Sequence, residues 1–325
     1  MHSFPTIEDI KHAAERIKPF VHRTPVFTSV SINRICDARV FFKAENLQKV
    51  GAFKARGATN AVFSIEKNNL KNSERSVNTV ATHSSGNHAA ALAYAACCCA
   101  MHAHVVMPEN APPVKKAAVA GYGAEITYCE PTQQAREDAL ASIIEQTGAV
   151  FIHPYNDHRV IAGQATAALE LLEQVPELDT VLAPVGGGGL ISGTALSVSA
   201  LKPETEVFGA EPESADDAYR SLQAKKIIPV TNPQTIADGL RTSLGELTFP
   251  IIQKHVTAIL TVSDTVIIEA MRLIWERMKL VVEPSAAVTL AVLLTKREQI
   301  KGSKIGLIVS GGNVDLENLP WLKQC

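Results

Sequence analysis

Lys54 is the residue from which chemistry is most directly read in this chain. It lies in the run Gly51-Ala52-Phe53-Lys54-Ala55-Arg56-Gly57, after a strand-like stretch at 40–44 and before the helically spaced Ala58, Val62 and Ile65. A lysine on a tight glycine turn, flanked by an aromatic ring and small residues, can reach into a cleft. Partly desolvated there, its amine can form a Schiff base with a carbonyl. A lone lysine is ordinarily a solvated surface charge, so the weight of the reading falls on four loops downstream.

The first is Ser84-Ser85-Gly86-Asn87-His88, between a strand-like run and an alanine-rich helical stretch. Free N–H groups at a helix start and two hydroxyls suit a carboxylate; a plain Ser/Asn helix cap fits equally well. His83 and His88 have no nucleophile paired with them locally and read as structural. The second loop holds four consecutive glycines, Gly186 to Gly189, between a strand-like run and a helix. Their N–H groups can close around a phosphate, and four glycines are entropically expensive for a merely flexible turn. The pattern is neither the dinucleotide fingerprint nor a P-loop.

The third loop, Ser310-Gly311-Gly312-Asn313, offers a hydroxyl to a heterocycle nitrogen, although Ser-Gly-Gly is also common turn chemistry. The fourth, Glu211-Pro212-Glu213-Ser214-Ala215-Asp216-Asp217, can hold a hard divalent cation through carboxylates and a carbonyl. Spacing alone favours the plainer alternative there, an acidic helix start.

The elements that must position these loops alternate. Strand-like runs at 78–82, 104–107, 125–128, 149–152, 180–183, 206–209 and 304–309 are separated by helical stretches such as 135–146 and 163–175. Such alternation predicts an α/β fold with parallel sheet buried on both faces, where ligands bind beyond the carboxyl ends of strands. Thr6 with Asp9, followed by Ile7, Ile10, Ala14 and Ile17, predicts a capped amphipathic helix at the start.

With 325 residues, 46% hydrophobic and 20% charged, the composition is that of a globular protein of one large or two coupled domains. Thirty-one basic against 33 acidic residues give a net charge of -2, with no electrostatic case for nucleic acid or an anionic membrane. No signal peptide or membrane-span pattern is present, and the expected location is the cytoplasm. The six cysteines, at 36, 97, 98, 99, 129 and 325, lack the spacing of a zinc site and are expected as buried small hydrophobes.

Taken together, the four loops and the Lys54 run resemble the fold type II pyridoxal-phosphate (PLP) enzymes, tryptophan synthase β-like, and within them the serine racemase and serine/threonine ammonia-lyase group. The resemblance runs from about Ile7 to Leu316 and includes Ile161-Ala162-Gly163-Gln164, Ile236-Ala237-Asp238-Gly239 and Glu283-Pro284-Ser285. It implies two interleaved lobes, each a mostly parallel sheet flanked by helices. Residues 1–75 and 154–325 would form the large PLP-binding domain, and 76–153 a small domain binding the substrate carboxylate.

The resemblance also implies roles. Lys54 would hold PLP as a Schiff base and act as base on one face, with Ser85 the acid/base on the other. Ser84, Ser85, Asn87 and His88 would bind substrate, Asn87 also meeting the cofactor ring. Gly186, Gly187, Gly188 and Gly189 would hold the phosphate, Phe53 and Gly239 would flank the ring, and Ser310 would meet its nitrogen. Glu211, the Ala215 carbonyl and Asp217 would bind Mg²⁺ or Ca²⁺, and Arg136 would lie near the substrate's β-substituent. ATP enters as an activator known from related racemases, and a homodimer is expected.

Three positions depart from the group. Ala52 and Ala165 stand where Ser and Gly are usual, and Tyr155 differs from the animal racemases and bears on substrate choice. The activity implied is conversion of L-serine to D-serine, to pyruvate and ammonia, or to both. The alternatives are an ammonia-lyase for L-threonine or threo-3-hydroxyaspartate and, more remotely, a catalytically silent binding protein.

Overall fold

The computed structural model describes residues 4–71, 77–84, 86–111 and 113–322, with the side chains of 66–71 and 114 left aside. In chain order the first elements are α1 (Ile7–Ile17), β1 (Val26–Phe27), α2 (Val30–Cys36), β2 (Arg39–Ala44) and α3 (Lys54–Lys71). Next come β3 (Thr79–His83), α4 (Asn87–Cys98), β4 (His102–Pro108), α5 (Pro113–Gly121), β5 (Glu125–Cys129), α6 (Gln133–Thr147) and β6 (Val150–Phe151). Then follow α7 (His158–Gln174), β7 (Thr180–Pro184), α8 (Gly189–Leu201), β8 (Glu206–Pro212), α9 (Asp217–Ala224) and α10 (Thr248–His255). The last are β9 (Ala258–Val262), α11 (Asp264–Met278), α12 (Pro284–Thr295) and β10 (Lys304–Val309).

These elements build two sheets, one of six strands in the order β1-β2-β10-β7-β8-β9 and one of four in the order β5-β4-β3-β6. All pairings are parallel except that of β1 with β2. The larger sheet is buried on both faces, as its near-continuous apolar strands require. Successive residues go to opposite sides. Phe42, Leu182 and Leu307 pack with α11 and α12, whereas Phe41, Val181 and Ile308 pack with α7 and α8. α1 begins with the expected capping box, Thr6 and Asp9 each bonding the other's backbone, and buries Ile10 against Ile161, Leu169 and Ile251.

Two strands escaped the sequence reading. β1 has only two residues, and β9 is a short apolar run between helices, where periodicity does not separate strand from helix. The helix expected at 163–175 begins earlier, at His158 behind the Asp157 cap, because its first two residues, His158 and Arg159, follow Asn156-Asp157 as a polar run that resembles a loop. Gly163 lies inside it, where a Cβ would overlap the backbone of Arg56 and Gly57, so α7 and α3 touch main chain to main chain. The cysteine expectation needs correcting. Cys36 is buried, but Cys97 and Cys98 are exposed at the end of α4, because the outer face of that helix turns to solvent there.

Candidate active site

The four loops and the Lys54 turn all sit at carboxyl ends of strands, and backbone contacts tie two of them together. Phe53 N–H donates to the Ser310 carbonyl at 3.0 Å, Gly312 N–H to the Gly51 carbonyl at 2.9 Å, and Ala52 bridges to Gly311. Val50 and Gly51 both adopt positive φ (55° and 69°), which lets the chain turn sharply into α3. Lys54 therefore starts α3 directly beside the buried Ser310. Its amine donates to the Pro154 carbonyl at 2.7 Å and lies 5.2 Å from the Phe53 ring centre. Lys54 is half-buried, and the protein around it lowers the amine to about 8, a shift that the Glu283 charge partly opposes.

The Ser84 loop enters α4 from the other sheet. Ser84 Oγ accepts the Gly86 N–H at 3.3 Å, a bond within the loop; α4 itself has Gly86 at its N-cap position with no side-chain cap, and Ser85 lies outside the described residues. The Asn87 amide donates to both Glu283 oxygens at 2.9 and 3.1 Å, and its carbonyl oxygen accepts from Asn313 at 2.9 Å. Asn87 is thereby fixed between the start of α12 and the Ser310 loop. Burial, with the Asp238 charge nearby, raises Glu283 to about 7. His88 is buried, and its Nε2 meets the Ile152 carbonyl at 3.1 Å. A carbonyl only accepts, so Nε2 carries the proton and Nδ1, buried without a partner, presents its lone pair. Burial and then the Lys54 charge hold this imidazole neutral.

The tetraglycine loop runs from the end of β7 into α8. Gly188, at φ 87°, occupies the N-cap position of α8 without a side-chain cap, so the first N–H groups of a thirteen-residue helix point into the loop. Thr248 Oγ1 donates to the Gly187 carbonyl at 2.8 Å, and the Gly186 Cα approaches the backbone of Gly239 and Leu240. Gly239 is itself held by Ser285, whose Oγ accepts its N–H at 3.0 Å.

A row of rings borders this space. His83 stacks on Phe151 at 5.7 Å, Phe151 tilts on His153 at 5.5 Å, and His153 meets Tyr155 edge-on at 4.5 Å. His153 Nδ1 accepts the backbone N–H groups of Tyr155 and Asn156 at 3.2 and 2.9 Å, and burial lowers its pKa to about 4. Arg136, on α6, stands near the other end, where its charge helps depress His83. Its Nε is buried without a hydrogen-bond partner.

Glu211 at the end of β8 accepts the N–H groups of Ala218 and Tyr219 at 3.1 and 2.9 Å, so it does cap α9. Its burial and the nearby Asp217 raise it to about 9. Burial raises Asp217 to about 7, and neither of its oxygens has a hydrogen bond of normal geometry. Ala215 is buried one turn earlier. Two converging carboxyls, one with both oxygens unpartnered, fit a hard cation better than a cap alone.

With this geometry in view, the chain's relatives are informative. The description "Pyridoxal-phosphate dependent enzyme" matches residues 17–311. The chain belongs to this PLP-dependent enzyme family. A "beta-hydroxyaspartate dehydratase" of Paracoccus denitrificans is 53% identical, covering 98% of this chain and 99% of its own. A "Serine racemase" of Dictyostelium discoideum is 48% identical, covering 97% of this chain and 96% of its own. The structure of maize serine racemase superposes with a TM-score of 0.93 at 46% identity, covering 98% of this chain and 97% of that one. The fold is thus type II among PLP enzymes, and the residues present suit the cofactor. A half-buried amine stands at the start of α3, and an uncapped helix N-terminus lies behind a glycine loop.

Sequence reasoning assigned no role to Glu283, Asn313 or His153. Glu283-Pro284-Ser285 stood out only as a matched stretch, because its carboxylate meets Asn87 across 196 residues of sequence. A cavity of about 730 Å³ adjoins the site, lined among others by Asn87, Lys115, Tyr122, Asp238 and Asn313. Lys115 and Asp238 form an ion pair beside it, linking α5 to the Gly239 segment.

Proposed function

We propose that this enzyme abstracts the α-proton of β-hydroxy amino acids, converting L-serine to D-serine, to pyruvate and ammonia, or to both. The observation that carries the reading is the half-buried Lys54 amine, held by the Pro154 carbonyl, lowered to about 8 and set at the start of α3 beside the Ser310 loop. PLP, when bound, supplies an aldehyde for covalent attachment and a ring that withdraws electrons from the α-carbon.

The protein's own groups do the rest. Lys54 holds the cofactor and, once released, takes the α-proton; its depressed pKa makes the neutral amine available near pH 8. Ser84 and the backbone N–H groups of Asn87 and His88 at the start of α4 bind the substrate carboxylate, the two side chains being engaged with Glu283 and the Ile152 carbonyl. Gly186 to Gly189 present N–H groups to the phosphate, Phe53 and Gly239 bracket the ring, and Ser310 meets its nitrogen. A hydroxyl there would offer that nitrogen a neutral hydrogen bond and would not protonate it as a carboxylic acid can. Ser85 serves as acid on the opposite face, delivering the proton that makes the D-isomer. The small lobe, 76–153, carries the carboxylate loop and the large lobe the cofactor. That division is supported by a four-stranded sheet drawn only from β3 to β6.

Mg²⁺ or Ca²⁺ at Glu211, Asp217 and the Ala215 carbonyl belongs to the same reading, supported by the unpartnered Asp217 oxygens. ATP as an activator is assigned to the cavity beside Asn87 and Asn313, where Lys115 would have to exchange its Asp238 partner for a phosphate. A cytoplasmic homodimer completes the picture; the exposed Phe27, Val30 and Ile35, within ten residues of one another, give it an apolar patch to cover.

A second reading is favoured by Arg136. Its unpartnered, buried Nε beside His83 suits a substrate with a second carboxylate, as in threo-3-hydroxyaspartate. The deciding experiment incubates the PLP-loaded enzyme with Mg²⁺ and either L-serine or threo-3-hydroxyaspartate. D-Serine, pyruvate, oxaloacetate and ammonia are then quantified. D-Serine with pyruvate supports the racemase/dehydratase; oxaloacetate with little serine turnover supports the second reading. No product from any β-hydroxy amino acid, threonine included, overturns both.

A further inference from the structure

Gly187 and Gly189 are in contact with one residue, and it is not a ligand to anything described above. A Cβ on Gly187 would overlap the Tyr155 ring, and one on Gly189 would lie 2.9 Å from the Tyr155 Cβ. The other two glycines answer to different neighbours. Gly186 faces the Gly239 carbonyl and Leu240, and Gly188 needs its positive φ and faces Thr248. Four consecutive glycines would sample many backbone states if left alone, and only external contacts can select one. On one side those contacts come from Tyr155.

The ring is itself well fixed. Its backbone N–H is held by His153 Nδ1 at 3.2 Å, and its ring meets that imidazole edge-on at 4.5 Å. His153 continues into the row formed with Phe151 and His83. The preceding residue, Pro154, gives its carbonyl to the Lys54 amine at 2.7 Å. One short segment therefore touches both the group that attaches the cofactor and the loop that faces its phosphate. Its burial, with Asp217 nearby, keeps the phenol protonated, its pKa raised to about 12.

We propose that Tyr155 is a positioning residue for the cofactor phosphate, pressing its ring on Gly187 while its Cβ and backbone border Gly189, so that the N–H groups entering α8 stay aimed at the anion. This rests on the phosphate role of the tetraglycine loop given above. A preorganised loop loses less freedom on binding, so the effect should appear as tighter cofactor retention. The Gly187 contact is made by the ring, so phenylalanine should serve as well as tyrosine, whereas alanine keeps only the Cβ and backbone contact with Gly189.

The test measures PLP affinity and release of the apoprotein by absorbance and fluorescence. It compares wild type with Tyr155→Phe, Tyr155→Ala, Gly187→Ala and the Tyr155→Ala/Gly187→Ala double variant, each checked for folding by circular dichroism. Tyr155→Phe should stay within about twofold of wild type, and Tyr155→Ala should bind about tenfold more weakly, mostly through faster release. Gly187→Ala should also bind weakly, and removing the ring in the double variant should restore part of that loss, a coupling that general destabilisation would not produce. Tyr155→Ala binding as tightly as wild type, or tighter, overturns the proposal, as does a double variant whose losses simply add. A folded Gly187→Ala with undiminished affinity instead refutes the phosphate role of the loop, so the two failures are distinguishable.

Discussion

Arg56 and Glu45 face each other as a two-point ion pair with no exposure on either side chain, Nε to Oε2 at 2.7 Å and Nη2 to Oε1 at 2.9 Å. The Arg56 guanidinium also reaches Glu170, which in turn holds Lys43 at 2.6 Å. Two cations and two carboxylates thus neutralise one another beneath the site, with Arg56 two residues after Lys54.

Such a network tolerates loss of a partner badly. Glu45→Gln leaves a buried guanidinium half paired, and we expect a loss of about 3 kcal/mol in unfolding free energy. Urea denaturation of the apoprotein checks this; a loss below about 1 kcal/mol would show that the cluster relaxes around the change. Arg56→Lys should not rescue the site, because an ammonium cannot reproduce the two-point geometry.

Lys54 carries a pH prediction. Burial lowers its amine to about 8, so the neutral, nucleophilic form should grow as pH rises and saturate just above that value. The rate of PLP capture by apoprotein should climb about tenfold per pH unit below the break and then level off. A rate still climbing at pH 10 would mean an ordinary solvated lysine. Lys54→Ala should abolish the attached chromophore altogether.

Glu211 and Asp217, raised to about 9 and 7, must shed protons before they can hold a cation. Mg²⁺ or Ca²⁺ binding should therefore release protons near neutral pH and tighten as pH rises from 6 to 9. At about 100 times its dissociation constant the ion should add roughly 2.7 kcal/mol of stability. Calorimetry in two buffers of different ionisation enthalpy would count the protons. Absence of any thermal shift on adding the ion, in wild type and Asp217→Asn alike, would rule the site out.

Ser85→Ala should lose D-serine formation while keeping much of the elimination from L-serine. Equal loss of both activities would remove the two-face division of labour. Arg136→Met should depress turnover of 3-hydroxyaspartate at least about tenfold more than that of serine; a uniform fall would leave Arg136 a structural role only.

Much of this was legible in the sequence, because strand alternation and glycine chemistry are local. The strand at 304–309 and the capping box of Thr6 and Asp9 appear where the pattern puts them. Lys54, Gly186 to Gly189 and Ser310 likewise fall at strand ends. Glu283 and His153 were not legible as site residues, since one acts across the lobes on Asn87 and the other through neighbouring backbone N–H groups. The exposed Cys97 and Cys98 failed for a related reason: an alanine-rich helix gives no periodic signal to mark its outer face.

The sheet order has a consequence for how the chain comes off the ribosome. β2 lies between β1 and β10, and Arg39 waits for Lys304 as its parallel partner. At about 5–20 residues per second, synthesis leaves that edge unsatisfied for on the order of tens of seconds. The four-stranded sheet, by contrast, is complete as soon as Phe151 has emerged. The nascent chain should thus complete its four-stranded sheet first, while Val40 to Phe42 remain an unpaired apolar edge, open to wrong pairing until β10 arrives.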